Sequence, residues 1–316
     1  MPRPDFPKTV LDFQQRFSTE KACRDYLFRC RWPEGFRCPR CEGAKAWYLK
    51  DRPIIRCAAC RYDASLTAGT VMQDTRTPLV KWFWAAFLAT THTPGFSALQ
   101  FQSYVGLKNY KVAFNMLHKL RSAMVRPDRD MIHGFVEVDE TYIGGPHEGK
   151  RGRGAEGKAI AAAAIEVLDE GQRKTQQRVG RLRMRVIPDV SARSLVGFVQ
   201  DNVEQGSVVI TDDFHSYDPL AAAGFAHHVV DSKDMEHIHR TFGNLKTWLE
   251  GTHHGVSEKH LQAYVNEFVF RHNRRRTPMA GFQTALSLAS HAQGPTYRQL
   301  YAAGERRGWI HPNPWG

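Results

Sequence analysis

A chain of 316 residues with 42% hydrophobic residues holds enough apolar matter for two or three domains and a sizeable core, which excludes a disordered tail. Its most apolar stretch, Trp82 to Ala89, is about half the length of a bilayer span, and MPRPDFPKTVLDF has no apolar signal-peptide core, so no membrane partner is expected and cytoplasmic residence follows. Lys and Arg exceed Asp and Glu by 44 to 32, a formal charge of +12 spread along the chain; this fits a generally basic soluble enzyme and favours a polyanionic partner, because each neutralised phosphate releases counterions.

Residues 1–75 open with an apolar-periodic segment, Val10, Leu11, Phe13 and Phe17, then Cys23, Tyr26, Leu27 and Phe28, expected to form one or two short helices before a stretch rich in cysteine and turn residues. In residues 76–130, Leu79, Trp82, Phe83, Ala86 and Phe87 form one helical stripe, a second helix follows the break at 93–95, and a third runs from Asn109 to Val125. Three short helices with Gly106 before the last resemble a helix-turn-helix, and a plain helical connector fits the same pattern. From 131 to 276 the texture changes: FVEVDETYIGG reads as a strand, PHEGKRGRGAEGK as a glycine-rich basic loop, and AIAAAAIEVL and GRLRMRVIPDV as two more strands. SARSLVGFVQDNV is an amphipathic helix with Ser191 as its N-cap, SVVITDDF a buried strand and AHHVVD another, and helices over 234–250 and 257–273 close the region. The order β-β-β-α-β-α-β-α predicts a mixed α/β layer fold. Residues 277–316, with four prolines and scattered glycines, read as a loosely packed tail.

All six cysteines fall within the first sixty residues, as a localised metal site in a reducing compartment would place them. Cys38, Cys41, Cys57 and Cys60 make C-x2-C-x15-C-x2-C. Thiolates two residues apart on a tight knuckle take adjacent corners of a tetrahedron, and two knuckles close an all-thiolate zinc site with no open position, hence a structural one. Arg37, Arg40, Lys45, Arg52, Arg56 and Arg61, with Trp47 and Tyr48, surround the knuckles and suit contact with DNA, although a zinc ribbon also serves to dock proteins. Cys23 and Cys30 lack the spacing and read as buried free thiols.

Two carboxylates stand out further on. Asp139 is read as ending the strand FVEVD, with Val136 and Val138 committing the other face to the core, and Asp212 as ending SVVITD in the same manner, with Val208 and Ile210 buried. Aspartates at the ends of neighbouring buried strands are natural ligands for hard divalent ions, two of which commonly run phosphoryl transfer on DNA. Asp213 is expected beside the site or facing solvent.

VDETYIGG, the KRGRG loop, TDDFHSY and the long FGNLKTWLEGTHHGVSEKHLQAYVNEFVFRHNRR together resemble bacterial insertion-sequence transposases that join a zinc-ribbon head to a DDE-type RNase H-like core, the ISXO-two-like group; the likeness covers roughly residues 10–280. It implies an α/β fold with an RNase H-like mixed sheet, a transposase that cuts element ends and joins them to target DNA, and Asp139 and Asp212 as ligands of two magnesium or manganese ions. It also implies double-stranded DNA as partner, both terminal inverted repeats and target, with a homodimer or higher assembly in the DNA complex.

The family places a glutamate or asparagine on a helix after the second aspartate, seven residues before a lysine. Counting back seven from Lys246 gives His239, a departure from that pattern; histidine suits manganese better than magnesium. Glu236, one turn earlier, is the alternative ligand, and Lys246 is suited to hold a phosphate as a point charge. Glu267, Arg271 and Arg274 share a helical face, either as a carboxylate flanked by phosphate-binding arginines or as a surface ion pair. Arg271, Arg274 and Arg275 of the basic run, and Lys150, Arg151 and Arg153 of the glycine-rich loop, are the candidate DNA contacts, the loop reading equally as a solvated hairpin. His253 and His254 belong to the shared motif without an evident role. The histidine at the third position also admits a second reading, a catalytically inactive zinc-ribbon DNA-binding protein derived from a transposase.

Overall fold

The computed structural model describes residues 4–49, 54–126, 128–144, 158–168 and 179–301. The chain forms two compact units, one from residues up to Arg126 together with the segment from Arg274, the other from the residues between them.

The first unit starts with α1 (Val10–Arg16) and α2 (Glu20–Arg31), each begun by a threonine whose side chain accepts a first-turn N–H: Thr9 from Asp12 and Thr19 from Ala22. On α2 the buried residues Cys23, Tyr26, Leu27 and Cys30 recur at helical spacing, which is why both thiols lie in the core. Strands β1 (Ala46–Tyr48), β2 (Ile54–Cys57) and β3 (Asp63–Ser65) make a small antiparallel sheet. Helix α3 (Leu79–Thr91) follows Pro78 and has no cap of its own; the Glu20 carboxylate instead accepts Leu79 N–H and Val80 N–H, each at 3.0 Å. Helices α4 (Ala98–Tyr104), opened by a Ser97–Gln100 capping box, and α5 (Tyr110–Ala123), capped by Asn109, flank a turn in which Gly106 takes φ +60°, a conformation that glycine adopts without strain.

The second unit is built on a five-stranded mixed sheet: β4 (Phe135–Ile143), β5 (Ala159–Val167), β6 (Val179–Ile187), β7 (Val208–Thr211) and β8 (Ala226–Val229), in the order β6-β5-β4-β7-β8. The first three strands pair antiparallel, whereas β7 lies parallel to β4 and β8 parallel to β7. This is the α/β, RNase H-like layer expected. Helix α6 (Ala192–Gln200), capped by Ser191, covers one face, where Val136, Val138 and Val209 pack with Leu195, Phe198 and Tyr217. Helices α7 (Glu236–His253) and α8 (Glu258–His272) supply the other core, Ile238, Phe242, Leu245 and Leu261 against Ala163, Ile165 and Met184.

Three expectations are corrected here. Strand β4 does not end at Asp139 but runs on to Ile143. On β7 the fully buried side chains are Val209 and Thr211, with Val208 and Ile210 only half-buried, because it is the odd positions that face the α6 core. Between β7 and β8 the chain makes a short 3-10 turn, His215–Leu220, containing Pro219, in place of an α-helix.

The chain then returns to the first unit as α9 (Pro278–Ala289) and α10 (Tyr297–Tyr301), so residues 278–289 are not a loose tail. Proline at the first helical position starts α9, and Phe282, fully buried, lies between 5.4 and 6.1 Å from the rings of Phe13, Phe17, Tyr26, Phe83 and Phe87. Among the described residues no helix is long and apolar enough to cross a membrane.

Candidate functional site

In the first unit, the ligand atoms of Cys38, Cys41, Cys57 and Cys60 all lie within 4.8 Å of one another. Cys38 Sγ is 3.6 Å from Cys60 Sγ and Cys41 Sγ 3.6 Å from Cys57 Sγ, close to the ~3.8 Å edge of a tetrahedron with ~2.3 Å zinc–sulfur bonds. The knuckle backbones assist: Arg40 N–H donates to Cys38 Sγ at 3.4 Å, and the Cys60 backbone N–H lowers the Cys57 thiol, while the neighbouring thiols raise Cys41, as four sulfurs competing for one charge would without a metal. Gly43 sits over the cluster; a Cβ there would meet Cys57 Sγ at 3.3 Å and Cys41 Sγ at 3.4 Å. The donor set, geometry and closure all fit a structural zinc. Beside it Trp47, Tyr48 and Tyr62 are exposed, with the Arg61 guanidinium over the Trp47 ring.

The second unit places Asp139 on β4 and Asp212 directly after β7, the neighbouring parallel strand. In the parallel pair, Phe135 lies opposite Val208, Val136 opposite Val209 and Glu137 opposite Ile210. Alternation puts Asp139 on the same face of β4 as Glu137, and Asp212 follows directly after β7, close enough for its charge to act on Asp139. Beyond Glu137 the pairing stops, and the edge of β4 opens where Asp139 stands. On its other side Asp139 pairs with Ala163, which presents only a methyl group.

Asp139 is buried and its carboxyl is raised to about 6, first by burial and then by the Glu140 charge, with Asp212 adding to the rise; the Glu140 backbone N–H and the His239 ring act in the opposite direction. Glu140 points to the opposite face of the sheet, where the buried Tyr217 hydroxyl donates to it at 2.8 Å.

Helix α7 brings two more groups to this face. His239 Nε2 is 3.1 Å from Asp139 Oδ2. Lys246, two turns on, has its ammonium pKa lowered by burial and by Lys158 and raised by the Asp139 charge. Thus Asp139, Asp212, His239, Lys246 and Lys158 share one electrostatic neighbourhood. Glu236, half-exposed, pairs with Arg240 at 3.4 Å and lies 3.7 Å from His237 Nε2. Asp212 Oδ1 accepts Phe214 N–H at 3.2 Å, bending the chain sharply after β7, and Asp213 lies on the exposed side of that bend.

The remaining motif residues have structural places. His253 packs edge-on between Trp248 and Tyr264, at 4.8 and 4.7 Å. His254, at φ +55°, and Gly255, at φ +93°, end α7 by donating backbone N–H bonds to Glu250 and Leu249. Glu267 is buried with Arg271 at 3.8 Å, and the Arg271 guanidinium lies over the Trp248 ring, so this is an interior pair and not a surface one. Helix α8 stops at His272, so Arg274 does not continue its face; Arg274 and the exposed Arg275 belong to the other unit. Lys150, Arg151 and Arg153 lie outside the described residues. Glu137, Glu140 and Lys158 are the neighbours that strand alternation alone did not single out.

A four-thiolate ribbon and a second unit built on a five-stranded mixed sheet with helices on both faces define the class: a zinc-ribbon protein with an RNase H-like α/β layer. The comparisons specify it. Residues 131–273 match the ISXO2-like transposase domain and residues 18–63 the transposase zinc-ribbon domain, so the chain carries both characteristic domains of these insertion-sequence transposases. It is also 28% identical over 97 residues to a Haemophilus influenzae protein named "Uncharacterized transposase-like protein", an alignment covering 28% of this chain and 77% of that protein.

Proposed function

We propose that the chain is a catalytically competent transposase that cuts the ends of its insertion sequence and joins them to target DNA by metal-dependent phosphoryl transfer. The observation that carries this reading is His239 Nε2 at 3.1 Å from Asp139 Oδ2, with the Asp212 charge, just past the end of the parallel strand β7, acting on the same carboxyl. Two carboxylates and an imidazole are a ligand set for magnesium or, better, manganese. Two such ions, when bound, activate the attacking oxygen and stabilise the leaving one.

The side chains do the rest. Asp139 and His239 already stand within hydrogen-bond reach, Oδ2 to Nε2 at 3.1 Å, and would turn these two atoms to the metal. Lys246 offers a fixed positive charge for a phosphate beside the break. No side chain forms a covalent bond to DNA; water, then the freed 3′-hydroxyl, is the attacking group. The zinc ribbon and the α4–α5 pair are read as the duplex-binding head, acting on terminal inverted repeats and target DNA in a homodimer or larger assembly.

Asp139→Asn is expected to abolish metal-dependent cleavage of a duplex bearing the element's end while retaining binding to it. Cleavage at the wild-type rate would overturn the reading and leave a zinc-bearing DNA binder. For the third ligand, His239→Ala is expected to lose single-turnover cleavage and Glu236→Ala to keep it, since Glu236 is half-exposed and pairs with Arg240 on its own helix. Full activity in both variants would remove α7 as a source of ligands.

A further inference from the structure

We infer that Glu137 is a positioning residue: from the strand that carries Asp139 it holds the first turn of the helix that carries His239, and so sets the spacing between the two. This rests on the metal-ligand reading of Asp139 and His239. Glu137 shares a strand face with Asp139 and is 5% exposed. Its Oε2 accepts the Ile238 backbone N–H at 2.8 Å, and its Oε1 lies 2.9 Å from His237 Nδ1.

The first amides of a helix have no partner within it, and five of the described helices solve this locally, with Thr9, Thr19, Ser97, Asn109 or Ser191 as cap. Helix α7 has Met235 at that position and no side-chain cap of its own. A local cap shapes a helix end without fixing where the helix lies. A cap reached from β4, 101 residues away in sequence, ties α7 to the strand itself. Two rungs result, Glu137 with His237 and Asp139 with His239, of which only the second lies past the last β4–β7 pair. Both Glu137 oxygens are engaged by α7. A serine or threonine at position 235 would satisfy the same amide without burying a carboxylate, a burial that is costly in itself. What it would not supply is the fixed distance between strand and helix that a preassembled ligand pair needs.

The test uses the full-length, zinc-loaded protein with Mn2+ as probe. Mn2+ affinity is read from the electron paramagnetic resonance of the free ion, and the order of the first turn of α7 from hydrogen exchange at Ile238. Glu137→Met keeps the volume and removes both acceptors. It is expected to weaken Mn2+ binding by about 10-fold or more and to speed exchange at Ile238. Glu137→Gln keeps an acceptor for Ile238 N–H without the charge, and should restore both readouts nearly to wild type. Should the methionine variant not fold, Glu137→Asp, with its carboxylate withdrawn by one methylene, carries the test with the same expected losses. Unchanged Mn2+ affinity in the variant lacking the cap, or a glutamine variant as weak as the methionine one, overturns the inference. Asp139→Asn separates the two layers. If it loses Mn2+ while Glu137→Met does not, only the positioning role falls; if it keeps wild-type Mn2+ affinity, the metal reading falls and takes this inference with it.

Discussion

Asp139 occupies a place where its charge is costly. Its carboxyl is raised from the ordinary 3.8 to about 6, chiefly by burial and the Glu140 charge. Because the folded value lies above the unfolded one, the metal-free folded state binds the extra proton between pH ~4 and ~6. Stability therefore falls as pH rises through that window, and above it the ionised carboxylate costs on the order of 1–3 kcal/mol. Asp139→Asn should accordingly raise the melting temperature of the metal-free protein at pH 7, though it abolishes cleavage, and metal-dependent cleavage by the wild type should fall as pH drops through about 6. Thermal melts with and without the substitution at pH 7 check the first statement; a melting temperature lowered by Asp139→Asn would mean that the carboxylate is held for structure. At this scale the sequence marked Asp139, because a carboxylate among buried strand residues demands a reason. It did not mark Glu137, whose meaning lies in Ile238 and His237, a hundred residues further along the chain.

Among the elements, legibility follows the range of the interactions that fix them. The two knuckles were readable because four thiols at doubled local spacing admit little but a metal, and the fold closes them to Sγ distances of 3.6 Å. The helix carrying His239 was readable from its apolar period. The segment after residue 277 was not, because prolines and glycines suggested a tail. Yet Pro278 is a helix start, and Phe282, Ala285, Leu286 and Ala289 form the buried stripe. Phe282 contacts five aromatic rings of the first unit. Truncating it to alanine should therefore cost about 3–5 kcal/mol, as large cavities at aromatic core positions do. Chemical denaturation of Phe282→Ala reads this directly; a loss below about 1 kcal/mol would show that α9 is peripheral to that core.

For the molecule as a whole, the order of strands in the second unit does what no local pattern predicts. Asp139 and Asp212 are separated by two strands and a helix, and the sequence said only that each stood near the end of an apolar run. Their approach depends on the parallel pairing of β4 with β7 and on its register, and a slip by one residue would send one carboxylate to the wrong face. The misreading of which β7 residues are buried had the same origin, since alternation gives two faces without saying which one α6 covers. The excess of basic residues, +12 overall, fits a partner whose phosphates must be drawn to that face. The central claim, that side chains from separate elements grip divalent ions there, is met most directly by anomalous diffraction from crystals of the protein grown with Mn2+ and a duplex of its element's end. The account predicts manganese peaks within ~2.3 Å of carboxylate oxygens of Asp139 and Asp212 and of His239 Nε2. Manganese bound elsewhere, with the Asp139–His239 hydrogen bond intact, would contradict it.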